Sequence, residues 1–248
     1  MLEMAGVTKR FGGLVAVDDV DLTVPTGQTH CIIGPNGAGK TTLLSLLTGE
    51  QRPSAGEIRL DDQRIDGLPQ HKVARLGMLR KFQVPGIFVD LSVRENLAIA
   101  VGGTSGWRAL FRPAPQTAAL VEETLALVRL DEQAEVPAGE LAHGSVQWLE
   151  IGMVLANRPK VILLDEPTAG MTPAETLETA TLLGEIVGQT KATVVVVEHD
   201  MDFVRRVGEQ ITVLHKGAVL TQGTISEVER DPRVRQVYLG AEGDSGAA

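Results

Sequence analysis

Short apolar runs alternate along the chain with longer amphipathic stretches, and that rhythm sets the order of the predicted elements. Leu14–Val17 and Val20–Val24 alternate apolar and polar positions with period two, which predicts strands. Pro25–Gly27 reads as a turn. Thr29–Ile33 follows as a buried strand that runs straight into a glycine-rich loop, and Thr41–Thr48 as a helix. Glu57–Leu60 predicts a strand ended by the turn Asp61-Asp62. Ser92 and Glu95 have capping-box spacing, so a helix is expected through Ala100. Gly102, Gly103 and Gly106, then Pro113 and Pro115, break that pattern. Helical spacing returns over Gln116–Leu130 and Val146–Ala156. Val161–Leu164 is a fully apolar strand. Thr172 and Glu175 form a second capping box, with Pro173 in the first turn, and predict a helix to about Gly188. Thr193–Val197 is β-branched and reads as a strand, Asp200–Val207 as a short helix, and Ile211–Leu214 with Ala218–Thr221 as a hairpin around Lys216-Gly217.

Strands alternating with helices imply an α/β chain whose mainly parallel sheet is covered on both faces. The stretch from about 91 to 155 offers no strand and reads as a helical subdomain inserted into that core. Residues 1–240 are expected to form one domain. The small, polar residues 241–248 are expected to form a disordered tail. There is no internal repeat.

Composition narrows the function. The 248 residues carry a formal net charge of −9, which disfavours nucleic acid as a partner. The one cysteine, Cys31, lies in an apolar run and is expected in the core, and a lone cysteine excludes an internal disulfide framework. A membrane-spanning helix needs ~20 apolar residues. The longest runs here, Val161–Leu164 and Val194–Val197, are far shorter, so any membrane role must come through partners.

Three motifs carry chemistry. Gly34-Pro35-Asn36-Gly37-Ala38-Gly39-Lys40-Thr41, followed by Thr42, fits the phosphate-loop pattern, with a strand before it and a helix after it. Glycines let backbone amides converge on a polyanion, and the helix start adds its positive dipole end. Lys40 would reach the β and γ phosphates and Thr41 would hold Mg2+. Second, Asp165 and Glu166 emerge at the C-terminal end of an apolar strand, where ligands sit in parallel sheets. Asp165 is a candidate Mg2+ ligand, and Glu166 a candidate general base for an attacking water. Third, His199 follows the Val194–Val197 strand and is a candidate γ-phosphate contact.

In this order, over about residues 3–240, the motifs resemble those of the ABC ATPases. The resemblance implies a P-loop NTPase core with an N-terminal antiparallel β part, the inserted helical subdomain, and ATP with Mg2+ as cofactors. It implies that Gln83, in Arg80-Lys81-Phe82-Gln83, senses Mg2+ and the lytic water, that Phe11 stacks on adenine (the alternative is a core aromatic), and that His199 is the switch histidine. Ala169–Thr172 fall at the family's D-loop, with Thr172 where an aspartate is usual. The family signature, usually Leu-Ser-Gly-Gly-Gln, is here Leu141-Ala142-His143-Gly144-Ser145. The serine hydroxyl is lost at Ala142, while Gly144 and Ser145 keep backbone amides at a helix start. Because the family works as head-to-tail dimers, the altered signature would serve the partner's phosphate loop, which points to a second ATPase subunit and unequal sites.

Stretches such as Gln147–Met153, Glu166–Thr172, Val197–Arg205 and Val237–Gly240 resemble the ATPase subunits of branched-chain amino acid and urea importers. The Trp148 helix and the Met171-Thr172 pair look most like the urea group. That resemblance implies a peripheral place at the cytoplasmic face of the inner membrane. Implied partners are transmembrane permease subunits and, indirectly, a periplasmic binding protein. A low-turnover regulatory subunit is the alternative that the altered signature leaves open. Trp107–Arg112 is basic and amphipathic, and reads as a solvated loop or a contact to membrane or permease.

Overall fold

The computed structural model describes residues 1–81, 86–102 and 115–243. Among these there are two sheets. The larger has strand order β10-β9-β3-β8-β7-β6: β10 is Ala218–Gly223, β9 Gln210–His215, β3 Thr29–Ile33, β8 Thr193–Val197, β7 Val161–Asp165 and β6 Met78–Lys81. Its neighbours run parallel except for the β9–β10 hairpin. The smaller sheet is antiparallel, in the order β2 (Leu14–Val24), β1 (Leu2–Phe11), β4 (Ala55–Leu60), β5 (Gln63–Arg64).

Every residue of β3, β7 and β8 is buried, because both faces of the larger sheet are covered. The side chains alternate between two cores. Ile32, Leu163, Val195 and Val197 join the smaller sheet and Leu43, Leu44, Leu46 and Leu47 of α1 (Lys40–Leu47). Cys31, Ile162, Leu164, Val194 and Val196 face the other core. That second core is closed by α3 (Val93–Gly102), α4 (Pro115–Leu127), α5 (His143–Leu155), α6 (Pro173–Thr190) and α7 (Met201–Val207). α3 packs on both α4 and α5. Between α3 and α5 the described residues form no strand, only an isolated bridge of Ser92 with Pro137. Among the described residues no helix is long and apolar enough to cross a membrane.

Both expected capping boxes are present. Ser92 and Glu95 exchange backbone bonds at the start of α3, and Thr172 and Glu175 do so at the start of α6. Several elements depart from the sequence reading. β1 is added at the N-terminus: its apolar alternation, Leu2 and Met4, slips at Gly6 (φ +57) before resuming at Val7. α2 (Gln70–Arg75) and β6 were not expected. β6 buries Lys81, a residue that hydropathy assigns to the surface. After β10 come α8 (Ile225–Arg230) and α9 (Pro232–Gly243), so helix extends three residues beyond 240. Residues 244–248, and the Trp107–Arg112 stretch, lie outside the described residues.

Candidate active site

β3 carries the chain at the centre of the larger sheet into the loop from Gly34 to Thr42. Two glycines there are required by packing. A Cβ on Gly39 (φ +103) would stand 2.4 Å from the Ala16 carbonyl, and one on Gly34 would stand 2.3 Å from the Leu214 carbonyl. The loop closes with the Ala38 amide donating to the Pro35 carbonyl at 3.1 Å. It is fastened from outside as well: the Gly217 amide donates to Ala38 O at 3.0 Å, and the Asp18 amide to Gly217 O at 2.8 Å. The β9–β10 turn and β2 therefore brace the loop from behind.

α1 begins at Lys40 with no acidic residue in its first turn, so its positive end is uncompensated. The Lys40 ammonium is buried and donates to the carbonyls of Gly34 (2.6 Å) and Pro35 (3.1 Å). Burial pulls its pKa down, and the nearby carboxylates of Glu166, Asp165 and Glu198 oppose that. A cavity of about 490 Å³ opens here, lined by Asn36–Thr42, Leu14–Ala16, Glu166, Lys216 and Gly217. Phe11 is 45% exposed and pairs across the strands with Leu14, which places it beside the cavity mouth and outside the core. The Lys9 ammonium lies 4.8 Å from its ring centre.

The carboxylates come from the neighbouring strands. Asp165, the last residue of β7, is buried and accepts from Arg80 Nη2 at 2.6 Å. Arg80 also lies 3.4 Å from Glu50. Glu166 takes the left-handed backbone (φ +47), rare for a residue with a side chain, and its amide donates to Val197 O at 2.9 Å. That turn sets Glu166 on the cavity wall. His199 is 64% exposed, with Nδ1 3.9 Å from Glu166 and 3.6 Å from Glu198.

Glu198 is the residue that sequence reasoning passed over. It is wholly buried at the end of β8. One oxygen accepts from the Thr168 amide (3.1 Å) and hydroxyl, and the other from the amides of His199 (2.9 Å) and Asp200 (3.4 Å). It thus ties the turn after Glu166 to the turn holding His199. The available signal was an acid directly after the valine run Val194–Val197, like the apolar run before Asp165.

The signature segment stands apart from this cavity. Ala142 is the N-cap of α5 and makes no side-chain cap. His143 Nε2 lies 2.9 Å from the Ala169 carbonyl, linking this segment to 169–172. The amide and hydroxyl of Thr172, and then the Gly144 amide, hold the Glu175 carboxylate below its ordinary pKa range. A Cβ on Gly144 would meet Glu175 at 3.2 Å. Gly144 and Ser145 do not line the cavity, and Gln83 lies outside the described residues.

The donor set fits a Mg-bound nucleoside triphosphate. Loop amides, a buried lysine and a bare helix start gather where an anion would bind, with Glu166 on the cavity wall and Asp165 buried beside it at the end of β7. Among the described residues no three His, Cys, Asp or Glu side chains form a metal cluster. A divalent cation here would therefore share its coordination with phosphate oxygens and Thr41.

Comparison with known proteins agrees with this geometry. The family described as ABC transporter matches residues 17–169. The high-affinity branched-chain amino acid transport ATP-binding protein BraF of Pseudomonas aeruginosa is 39% identical over 249 residues, covering 97% of this chain and 98% of BraF. LivG of Escherichia coli K12, with the same description, is 38% identical over 250 residues, covering 97% and 98%. The ADP conformation of MJ1267, an ATP-binding cassette of an ABC transporter, superposes with a TM-score of 0.85 at 28% identity, covering 97% of this chain and 98% of MJ1267.

Proposed function

This chain belongs to the ABC transporter family, and from that premise we propose that it is the ATP-hydrolysing subunit of an importer for branched-chain amino acids. It is an ATPase that uses ATP with Mg2+. The observation that carries the cargo is its near end-to-end similarity to BraF and LivG, both described as branched-chain amino acid transport proteins. The Trp148 helix and Met171-Thr172 favoured urea. Those few residues weigh less than similarity over the whole chain, so branched-chain amino acids replace urea as the leading reading.

In this reading the amides of Gly34–Thr42 wrap the phosphates. Lys40 exchanges the carbonyls of Gly34 and Pro35 for β- and γ-phosphate oxygens, and Phe11 covers the adenine beside Leu14. Thr41, Asp165 and Gln83 would hold Mg2+, which when bound would neutralise charge developing on the phosphates. Glu166 accepts a proton from the attacking water. His199, whose Nδ1 is 3.9 Å from Glu166, steadies that carboxylate and contacts the γ-phosphate. The strained backbone of Glu166 keeps its carboxylate aimed at the cavity, and Glu198 holds the turns on both sides.

The other partners follow from the same reading. Two permease subunits in the inner membrane receive the motion at its cytoplasmic face, and a periplasmic binding protein delivers cargo to them. A second ATPase subunit packs head-to-tail on this one, its signature completing the site on Lys40. The site that this chain completes for its partner lacks the hydroxyl at Ala142, so the two sites turn over unequally.

The test is uptake of labelled leucine and labelled urea by vesicles carrying the complete complex. Leucine uptake that needs ATP and is abolished by Lys40→Ala is expected. Uptake of urea without leucine would overturn the cargo assignment and leave the ATPase standing.

A further inference from the structure

Strand β6 ends in two buried cations that leave it in different directions. Arg80 binds Asp165. Lys81 is 4% exposed and its ammonium lies 3.1 Å from Glu150 Oε2, while also donating to Gln147 Oε1. The same carboxylate reaches the far side of Gln83: Glu150 Oε1 accepts from the Gly86 amide at 3.1 Å. One side chain of α5 therefore fastens the two described positions that flank residues 82–85. Gln147 and Glu150 sit three residues apart on α5, whose first turn holds Gly144 and Ser145.

A buried ion pair is a poor device for stability alone, because apolar residues of equal volume fill the space without desolvating two charges. What it supplies is a directional joint. Lys81 lies at the edge of the core sheet, Glu150 in the helical subdomain, and Arg80 carries the same strand on to Asp165.

We propose that Glu150 is a positioning residue which, with Lys81 and Gln147, makes the signature helix and the two anchor points of Gln83 move as one piece, so that signature engagement is transmitted along β6 to Asp165. The proposal rests on the transport ATPase reading above. It is separate from the chemistry of the phosphate loop, none of whose residues touches Glu150.

The experiment compares wild type, Lys81→Arg and the double variant Lys81→Met/Glu150→Leu. The double variant removes both charges together, so it avoids the stranded charge that could unfold either single variant. Nucleotide affinity without Mg2+, read with a fluorescent nucleotide, should stay within about twofold in both variants, since the phosphate loop shares no partner with this cluster. In the complete complex in liposomes, stimulation of ATPase by cargo and binding protein should fall by about fivefold or more in the double variant and persist in Lys81→Arg. On the isolated full chain, hydrogen exchange should show peptides over 78–88 and 142–150 responding together to Mg-ATP in wild type. In the double variant the 78–88 response should be lost. A double variant that keeps wild-type stimulation, or keeps the joint exchange response, overturns the proposal. A wild-type complex that leucine fails to stimulate would instead sink the cargo assignment, and the exchange comparison would still decide the role of Glu150.

Discussion

Replacing Glu198 by glutamine removes one oxygen and no volume, yet the hydrogen bonds around it make this a severe change. The carboxylate accepts on both oxygens, from the Thr168 amide and hydroxyl on one and from the amides of His199 and Asp200 on the other. Glutamine offers one acceptor oxygen and an amide group that only donates. If the oxygen keeps Thr168, the amide nitrogen points at the backbone N–H of His199, donor against donor, at a site wholly shut from water. A stranded buried donor costs about 1–3 kcal/mol, and hydrogen bonds to a charged acceptor are worth about 1.5–3 kcal/mol. Counting the 2.9 Å bond from His199 in full and the 3.4 Å bond from Asp200 in small part gives a loss of about 2–4 kcal/mol. In a chain of this length each kcal/mol lowers Tm by about 2–4 °C, so Glu198→Gln should melt roughly 4–16 °C below wild type. The kinetic effect should be selective. The phosphate loop keeps its own hydrogen bonds, and losing one of the three carboxylates that act on Lys40 should leave Mg-ATP affinity equal or raise it. Turnover should drop by about tenfold or more, because both the turn after Glu166 and the turn of His199 lose their common anchor. Thermal unfolding, equilibrium nucleotide binding and ATPase turnover of the assembled complex read these separately. A glutamine variant that melts within about 1 °C of wild type and turns over normally would refute the reasoning.

Three further outcomes follow from other parts of the fold. Gly39→Ala sets a Cβ 2.4 Å from the Ala16 carbonyl at φ +103, so Mg-nucleotide affinity should fall by about 100-fold or more, and affinity within a few-fold of wild type would contradict the packing account. His30 is buried on Thr212, and burial pushes its pKa from 6.5 down to about 4. Between those values the unfolded chain binds a proton that the folded chain refuses, so stability is full above pH 6.5 and should decline by about 3 kcal/mol as pH falls toward 4. Urea denaturation across that range should show the slope in wild type and a flatter one in His30→Gln, and equal slopes would remove His30 as the cause. Ala142→Ser gives α5 the N-cap hydroxyl it lacks and should stabilise the isolated chain by about 0.5–2 kcal/mol. In a complex silenced by Lys40→Ala, the same change should speed the remaining site, and an unchanged rate would count against unequal sites.

The parts of the fold legible in the sequence are those where burial is written in apolar residues. Val161–Leu164 and Val194–Val197 are covered on both faces, so they appear as uninterrupted apolar runs that an enclosed strand explains, and Thr29–Ile33 ends in such a run at Cys31–Ile33. The phosphate loop and the two capping boxes were legible because their chemistry is local, with partners a few residues apart. β6 was hidden because its inward positions are charged. Arg80 is neutralised by Asp165 and Lys81 by Glu150, partners far away in the chain. β1 was hidden because the kink at Gly6 breaks its alternation. Glu198 was passed over because hydropathy does not mark a carboxylate held by backbone amides, although its place directly after Val194–Val197 offered the signal that Asp165 gave.

The charges around the cavity explain why phosphate loop and acidic strand ends must work as one site. Asp165, Glu166 and Glu198 all act on Lys40, and Arg80 offsets only Asp165 directly. At an effective dielectric of 20, two like charges 4 Å apart repel by about 4 kcal/mol. A bare triphosphate entering the loop would therefore gain from Lys40 and the amides of α1, and lose much of that gain to Glu166 and Asp165. A divalent cation, which Asp165 and Thr41 would hold, would reverse the sign of the second term without disturbing the first. The same arrangement gives hydrolysis a direction. Once the γ-phosphate leaves with its share of the charge, Lys40 would lose an anionic partner. Lys40 then returns to the carbonyls of Gly34 and Pro35, the arrangement the structure shows.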